Sequence, residues 1–135
     1  MPLFNWSEKF MLGIPEIDEQ HKQIVDLINN LNNLKNKTVE TEYLGKIIEA
    51  LISYTRTHLA YEERLLRQHN YPEFAPHKSE HDKLVKEATD LQTKFFTGVT
   101  DLSTDIAILL NDWLAEHILV VDKKYVPYLK NKGID

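Results

Sequence analysis

The sequence predicts an all-α protein, an antiparallel up-down-up-down four-helix bundle with an N-terminal arm and a short C-terminal helical segment. Three observations carry this. Apolar residues recur every three to four positions in four separate stretches, the period of an amphipathic helix. The connections between the stretches are short, which makes successive helices antiparallel neighbours. Histidines sit early in the first stretch, late in the second, early in the third and late in the fourth, so an antiparallel bundle gathers them at one end.

The first helix is read from Asp18 to Lys35, with Ile17, His21, Ile24, Ile28 and Leu31 on its stripe and Asp18 as N-cap just after Pro15. The second is read from Glu40 to Asn70, with Leu44, Ile47, Ile48, Leu51, Thr55, His58, Glu62 and Leu65 on one face. Tyr71-Pro72 interrupts the pattern. The third helix runs from Phe74 to Phe96 on His77, His81, Leu84, Ala88, Leu91 and Phe95, and Gly98 ends it as a C-cap glycine does. The fourth opens near Thr100 and carries Leu102, Ile106, Leu109, Leu110, Trp113, Leu114 and His117. Pro127 disfavours helix at Val126 and so should stop or kink it there, leaving Pro127 to Lys132 for one or two further turns.

The chain has 135 residues, 42% of them hydrophobic and 27% charged, and is read as a single domain, 1–135. A formal charge of −5 without a basic stripe argues against a nucleic-acid partner. The lack of cysteine excludes disulfides, iron–sulfur clusters and thiolate zinc sites. Met1 to Trp6 lacks the basic start and apolar run of a signal peptide, and no apolar run nears the roughly 20 residues of a membrane span. A cytoplasmic protein without membrane insertion is expected. The glycosylation triplets at Asn5 and Asn36 then carry no meaning.

The chemistry lies in the spacing of imidazoles and carboxylates. His58 and Glu62 are four apart, as are His77 and His81; His117 precedes Asp122 by five, and His21 stands alone. A spacing of four returns to the same helix face, so each such pair can aim both donors at one point. One histidine on an apolar stripe is ordinarily a hydrogen-bonded core residue. Five, with two acids at matching heights, would be costly to bury unpaired, and coordination to metal removes that cost. Imidazole with carboxylate suits iron, zinc, manganese or copper and not calcium or magnesium. Seven donors exceed one ion, so the site is read as binuclear. Two octahedral ions offer roughly twelve positions. Five imidazoles, two bridging carboxylates and one bridging oxo or hydroxo group leave one of them open for a small ligand.

Five residues turn an α-helix through about 500°, which leaves Asp122 off the His117 direction. A local i→i+5 turn or an unwound end is therefore expected between them. His69 is read as no ligand and Glu63 as a solvated acid. Tyr61, Tyr125 and Tyr128 are candidates for hydrogen bonds near the site, without an assigned place.

These residues resemble the haemerythrin family, specifically its free-standing single-domain bacterial members. The resemblance rests on His21, His58-x-x-x-Glu62, His77-x-x-x-His81 and His117-x-x-x-x-Asp122. Trp6, the run Gly13-Ile14-Pro15-Glu16-Ile17-Asp18-Glu19-Gln20-His21 and Tyr71-Pro72 add to it. It implies two non-haem irons joined by an oxo or hydroxo bridge. His77, His81 and His117 would hold one iron, His21 and His58 the other, and Glu62 and Asp122 would bridge. It implies reversible dioxygen binding for storage, transport or delivery to an oxygen-consuming acceptor enzyme, by a monomer that is not itself an enzyme. Trp113, Leu114 and Ile118 match positions that line the family's oxygen pocket. An enzyme reducing peroxide or nitric oxide at the same centre is the main rival, and an oxygen or redox sensor the second.

Overall fold

The computed structural model describes residues 3–34, 40–98 and 102–134, with Leu102 described by its backbone alone. Lys35, the glycosylation triplet at Asn36, the start of the fourth helix near Thr100 and the side chain of Leu102 lie outside the described residues. Helices α1 (Pro15–Asn33), α2 (Thr41–Gln68), α3 (Phe74–Phe96) and α4 (Leu102–Glu116) form the bundle. A π-helical segment, His117–Asp122, continues α4 into α5 (Lys123–Asn131). α1 packs against α2 and α4, and α3 packs against the same two, which closes a four-cornered bundle. No described helix is long and apolar enough to cross a membrane.

The apolar stripes become the core. Ile17, Ile28, Ile48, Leu51 and Ile106 have no exposed surface, and Ile24, Leu31, Leu84, Phe95 and Leu110 almost none. The third helix has the boundaries expected of it. Gly98, at φ 111°, supplies the left-handed residue after its end. The second helix stops two residues earlier than read. Asn70 takes φ 55°, and the amides of Asn70 and Tyr71 fold back on the carbonyls of Arg67 and Leu66 at 3.1 and 3.0 Å. That Schellman closure, with asparagine in glycine's usual place, ends α2 before Pro72 is reached.

Two expectations are corrected. Asp18 is not the N-cap of α1: Ile14 holds that position in extended conformation, and Pro15 is N1, where a missing N–H costs nothing. Asp18 sits in the first turn instead, 3% exposed, accepting hydrogen bonds from the amides of Leu12 (2.8 Å) and Gly13 (3.1 Å). It thereby pins the arm that precedes the helix, and Lys130 Nζ donates to the Gly13 carbonyl at 2.7 Å from the other side. Asp18→Ala leaves two amides unpaired, and denaturant unfolding should show a loss of about 1–3 kcal/mol. An unchanged midpoint would show that these two hydrogen bonds add nothing to stability.

Pro127, the second correction, does not break the helix; α5 runs through it. Tyr125 and Leu129, four residues apart on either side of the proline, are both fully buried. Their packing holds the helical course that local preference alone would abandon. The arm leads in along the length of α1, from Asn29 back to its N-terminus. Phe4 exchanges two hydrogen bonds with the Asn29 side chain, at 2.8 and 3.0 Å, and its ring packs with those of Trp6 and Phe10.

Candidate metal centre

The four helices deliver seven donors to one end of the bundle: His21 from α1, His58 and Glu62 from α2, His77 and His81 from α3, His117 and Asp122 from the π-helical segment. None is more than 3% exposed. The i, i+4 pairs work as their spacing dictates. The five-residue pair works because the chain widens there, the Lys123 amide reaching back to the Ile118 carbonyl. This i→i+5 turn is the irregularity that the spacing demands, and it brings Asp122 Oδ1 to 2.9 Å from His117 Nε2.

The donor atoms fall into two groups, each spanning no more than 4.8 Å: Glu62, His77, His81, His117 and Asp122 in one, His21, His58 and Glu62 in the other. Glu62 belongs to both. Its Oε1 lies 2.6 Å from His77 Nε2 and 3.1 Å from His81 Nε2, while its Oε2 lies 3.6 Å from His58 Nε2. Asp122 reaches both groups too, with Oδ2 3.3 Å from His21 Nε2 and Oδ1 3.4 Å from His77 Nε2.

Do these residues fit a metal? Both ring nitrogens of His21, Nδ1 of His117 and both oxygens of Asp122 are buried without a hydrogen bond, a state that native interiors avoid. His81 Nε2 and His117 Nε2 face each other across 3.1 Å, which at best lets one of them donate. Cations held among the Nε2 atoms of His21, His81 and His117 and the Asp122 oxygens would satisfy these inward-facing atoms; Nδ1 of His21 and of His117 lies on the far side of its ring. The set holds only neutral nitrogen and anionic oxygen donors, as a borderline transition metal prefers. The residues fit a metal ion.

The imidazoles differ in charge before any ion is bound. Burial pushes the His58 imidazole down to about 4, against the pull of Glu62, so its lone pair is free at neutral pH. Burial also opposes charge on His117, but Asp122 and Glu62 outweigh it and lift the group to about 10. Glu62 would be raised by its burial, yet contacts with His117, His77 and His81 hold it well below the usual carboxylate range. Burial and the Glu62 charge likewise work against ionised Asp122, and the His117 and His21 imidazoles bring it below its ordinary value.

Around the donors stand residues that sequence reasoning missed or misread. Glu63 is not a solvated acid: its Oε2 accepts a hydrogen bond from His81 Nδ1 at 2.9 Å, and its side chain is 20% exposed. Gln20 Oε1 accepts from His58 Nδ1 at 2.6 Å, while its Nε2 donates to Glu16 Oε1 at 2.9 Å, which fixes the amide's orientation. Tyr125, fully buried, donates to Glu62 Oε2 at 2.9 Å. Burial, together with the Asp122 and Glu62 charges, keeps that phenol protonated, well above its ordinary range. Adjacency to a ligand was the signal available for Glu63 and Gln20, but only the packed neighbour helix shows what they meet.

Trp113 is half-buried and stacks flat on the His117 ring, centroids 4.1 Å apart. Leu114 and Ile118 are buried in the core close by in the chain. His69 stands apart, Nδ1 donating to the Leu65 carbonyl at 2.9 Å, and Tyr128 Oη donates to the carbonyls of His69 and Asn70.

Fold and site together define a metal-binding protein built on a four-helix bundle, its centre lined by histidine and carboxylate. The family model for the Hemerythrin HHE cation binding domain matches residues 12–129. A bacteriohemerythrin of Methylococcus capsulatus is 39% identical over 96% of this chain and 98% of its own length. One from Stenotrophomonas maltophilia is 31% identical over 96% and 84%. The crystal structure of a wild-type hemerythrin superposes with a TM-score of 0.86 at 39% identity, covering 93% of this chain and 96% of that one. The chain belongs to the haemerythrin family.

Proposed function

We propose that this chain binds dioxygen reversibly at a non-haem di-iron centre, for storage, transport or delivery to oxygen-consuming enzymes, and that it is not itself an enzyme. The observation that carries the reading is the sharing of Glu62 between two donor groups of unequal size. His77, His81 and His117 would hold one iron, His21 and His58 the other, with Glu62 and Asp122 bridging. Two ferrous ions, when bound, supply the two electrons by which dioxygen can be held and given back.

The side chains do the rest. Five neutral imidazoles orient the ions, and only two carboxylates contribute charge. The group with two imidazoles is one imidazole short of the other, which leaves room for a small ligand. Burial at 3% exposure or less excludes water from every donor, and in this reading Trp113, Leu114 and Ile118 extend that apolar wall along the oxygen pocket. The same reading has the chain act as a monomer in the cytoplasm. The names of the relatives support oxygen binding: bacteriohemerythrin for the bacterial sequences, and hemerythrin-like protein for one from Naegleria gruberi, 30% identical over 90% of this chain.

Anaerobic reduction followed by air tests it, with visible spectra and iron counted per chain. The expected result is about two irons and an absorption band that appears with oxygen and fades on its removal. Immediate passage to a stable oxidised spectrum would instead point to turnover, and fewer than two irons would refute the reading.

A further inference from the structure

The two donor groups differ in what stands behind them as well as in their size. His81 leans on a carboxylate: Glu63 Oε2 accepts a hydrogen bond from its Nδ1 at 2.9 Å. His58 leans on a neutral amide: Gln20 Oε1 accepts a hydrogen bond from its Nδ1 at 2.6 Å. An anionic acceptor makes the opposite ring nitrogen a stronger donor than an amide does, because it stabilises positive charge shared onto the ring.

Glu62 adds a second difference of the same sign. Its Oε1 faces only imidazoles of the larger group, His77, His81 and His117 at 2.6, 3.1 and 3.8 Å, and no hydroxyl donates to it. Its Oε2 faces His58 and is already engaged by the Tyr125 hydroxyl at 2.9 Å. A hydroxyl donating to a carboxylate oxygen draws off electron density that the oxygen would otherwise give to a cation. Tyr125 cannot turn away, being fully buried with its ring edge-on to Tyr71 at 6.2 Å and against His77 at 5.6 Å.

We infer that Glu63 and Tyr125 are positioning residues that make the two metal positions unequal, a tight one at His77, His81 and His117 and a weaker one at His21 and His58, filled in that order. This rests on the two-ion reading above and deepens it. The weaker position is also the one short of an imidazole, so the ion that meets the small ligand is the more loosely held.

The test is calorimetric titration of metal-free protein with cobalt(II), whose visible bands report coordination, so no oxygen chemistry is involved. Two resolved steps are expected. His77→Ala should remove the tighter and His58→Ala the weaker. Glu63→Gln keeps a hydrogen-bond acceptor and removes the charge; it should weaken the tighter step about tenfold, toward the low end of such effects, and leave the weaker one unchanged. Tyr125→Phe should tighten the weaker step several-fold, a gain that a merely structural role for the hydroxyl would not give. Two equal sites, or Glu63→Gln acting on both steps alike or on neither, would overturn the inequality. Failure of the unsubstituted protein to take two cobalt ions would instead overturn the two-ion reading itself.

Discussion

Glu62→Ala should leave a protein that retains less than one metal ion per chain under conditions that saturate the parent. Glu62 belongs to both donor groups, so its loss opens both positions together. It would also strand its neighbours. Tyr125 would lose the acceptor of its hydroxyl inside a fully buried environment, and His77 and His81 would lose the anion within 2.6 and 3.1 Å of their Nε2 atoms. Removing one partner from a buried charged network typically costs about 3–5 kcal/mol, so the metal-free variant should also unfold at clearly lower denaturant than the metal-free parent. Elemental analysis and guanidinium unfolding read the two effects separately. A variant that still holds two ions at parental affinity would remove Glu62 from the shared role.

Metal uptake near pH 7 should release at least one proton per chain. In the metal-free protein, burial disfavours charge on His117, yet Asp122 and Glu62 lift it to about 10 against an ordinary 6.5. Its imidazole is therefore protonated at neutrality and must give up that proton to coordinate. His58, pushed down to about 4 by burial, is already neutral and contributes none. Titrations in buffers of different ionisation enthalpy measure the release directly, and heats independent of buffer would show the inference about His117 to be wrong. The same groups set the pH range of the metal-free fold. His117, raised when folded, stabilises fully below 6.5, and that contribution is lost as pH rises toward 10. His58, lowered when folded, stabilises above 6.5, and its contribution is lost as pH falls toward 4. Metal-free protein should thus be most stable between these limbs. Loading should flatten the alkaline limb, since a coordinated His117 has no proton left to lose there.

Much of this was legible because helices translate spacing into direction. The stripes around Ile24, Ile48, Leu84 and Leu110 gave the bundle, and antiparallel order put the histidines at one height. The five-residue gap from His117 to Asp122 called for a widened turn, and the chain has one. What stayed hidden depended on partners from elsewhere in the fold. Glu63 read as solvated because it points about 100° from Glu62 around α2; that direction meets α3, where His81 presents its Nδ1. Asp18 read as a cap because caps and first-turn acids share a composition, and only the path of the arm separates them. Pro127 read as a stop because local preference cannot weigh the burial of Tyr125 and Leu129.

The π-helical turn has a bearing on chain length. A widened turn holds one residue more than the regular helix would need to cover the same ground, and the helix resumes afterwards with its faces in phase. Val120, half-exposed on this turn, is in that sense a surplus residue carried as a bulge. A chain shorter by that one residue would bring histidine and aspartate back to a spacing of four, on one face of an ordinary helix, with Tyr125 and Leu129 still turned inward. The ligand motif of this bundle is thus defined by direction, and the count of residues between its members is free to differ by one.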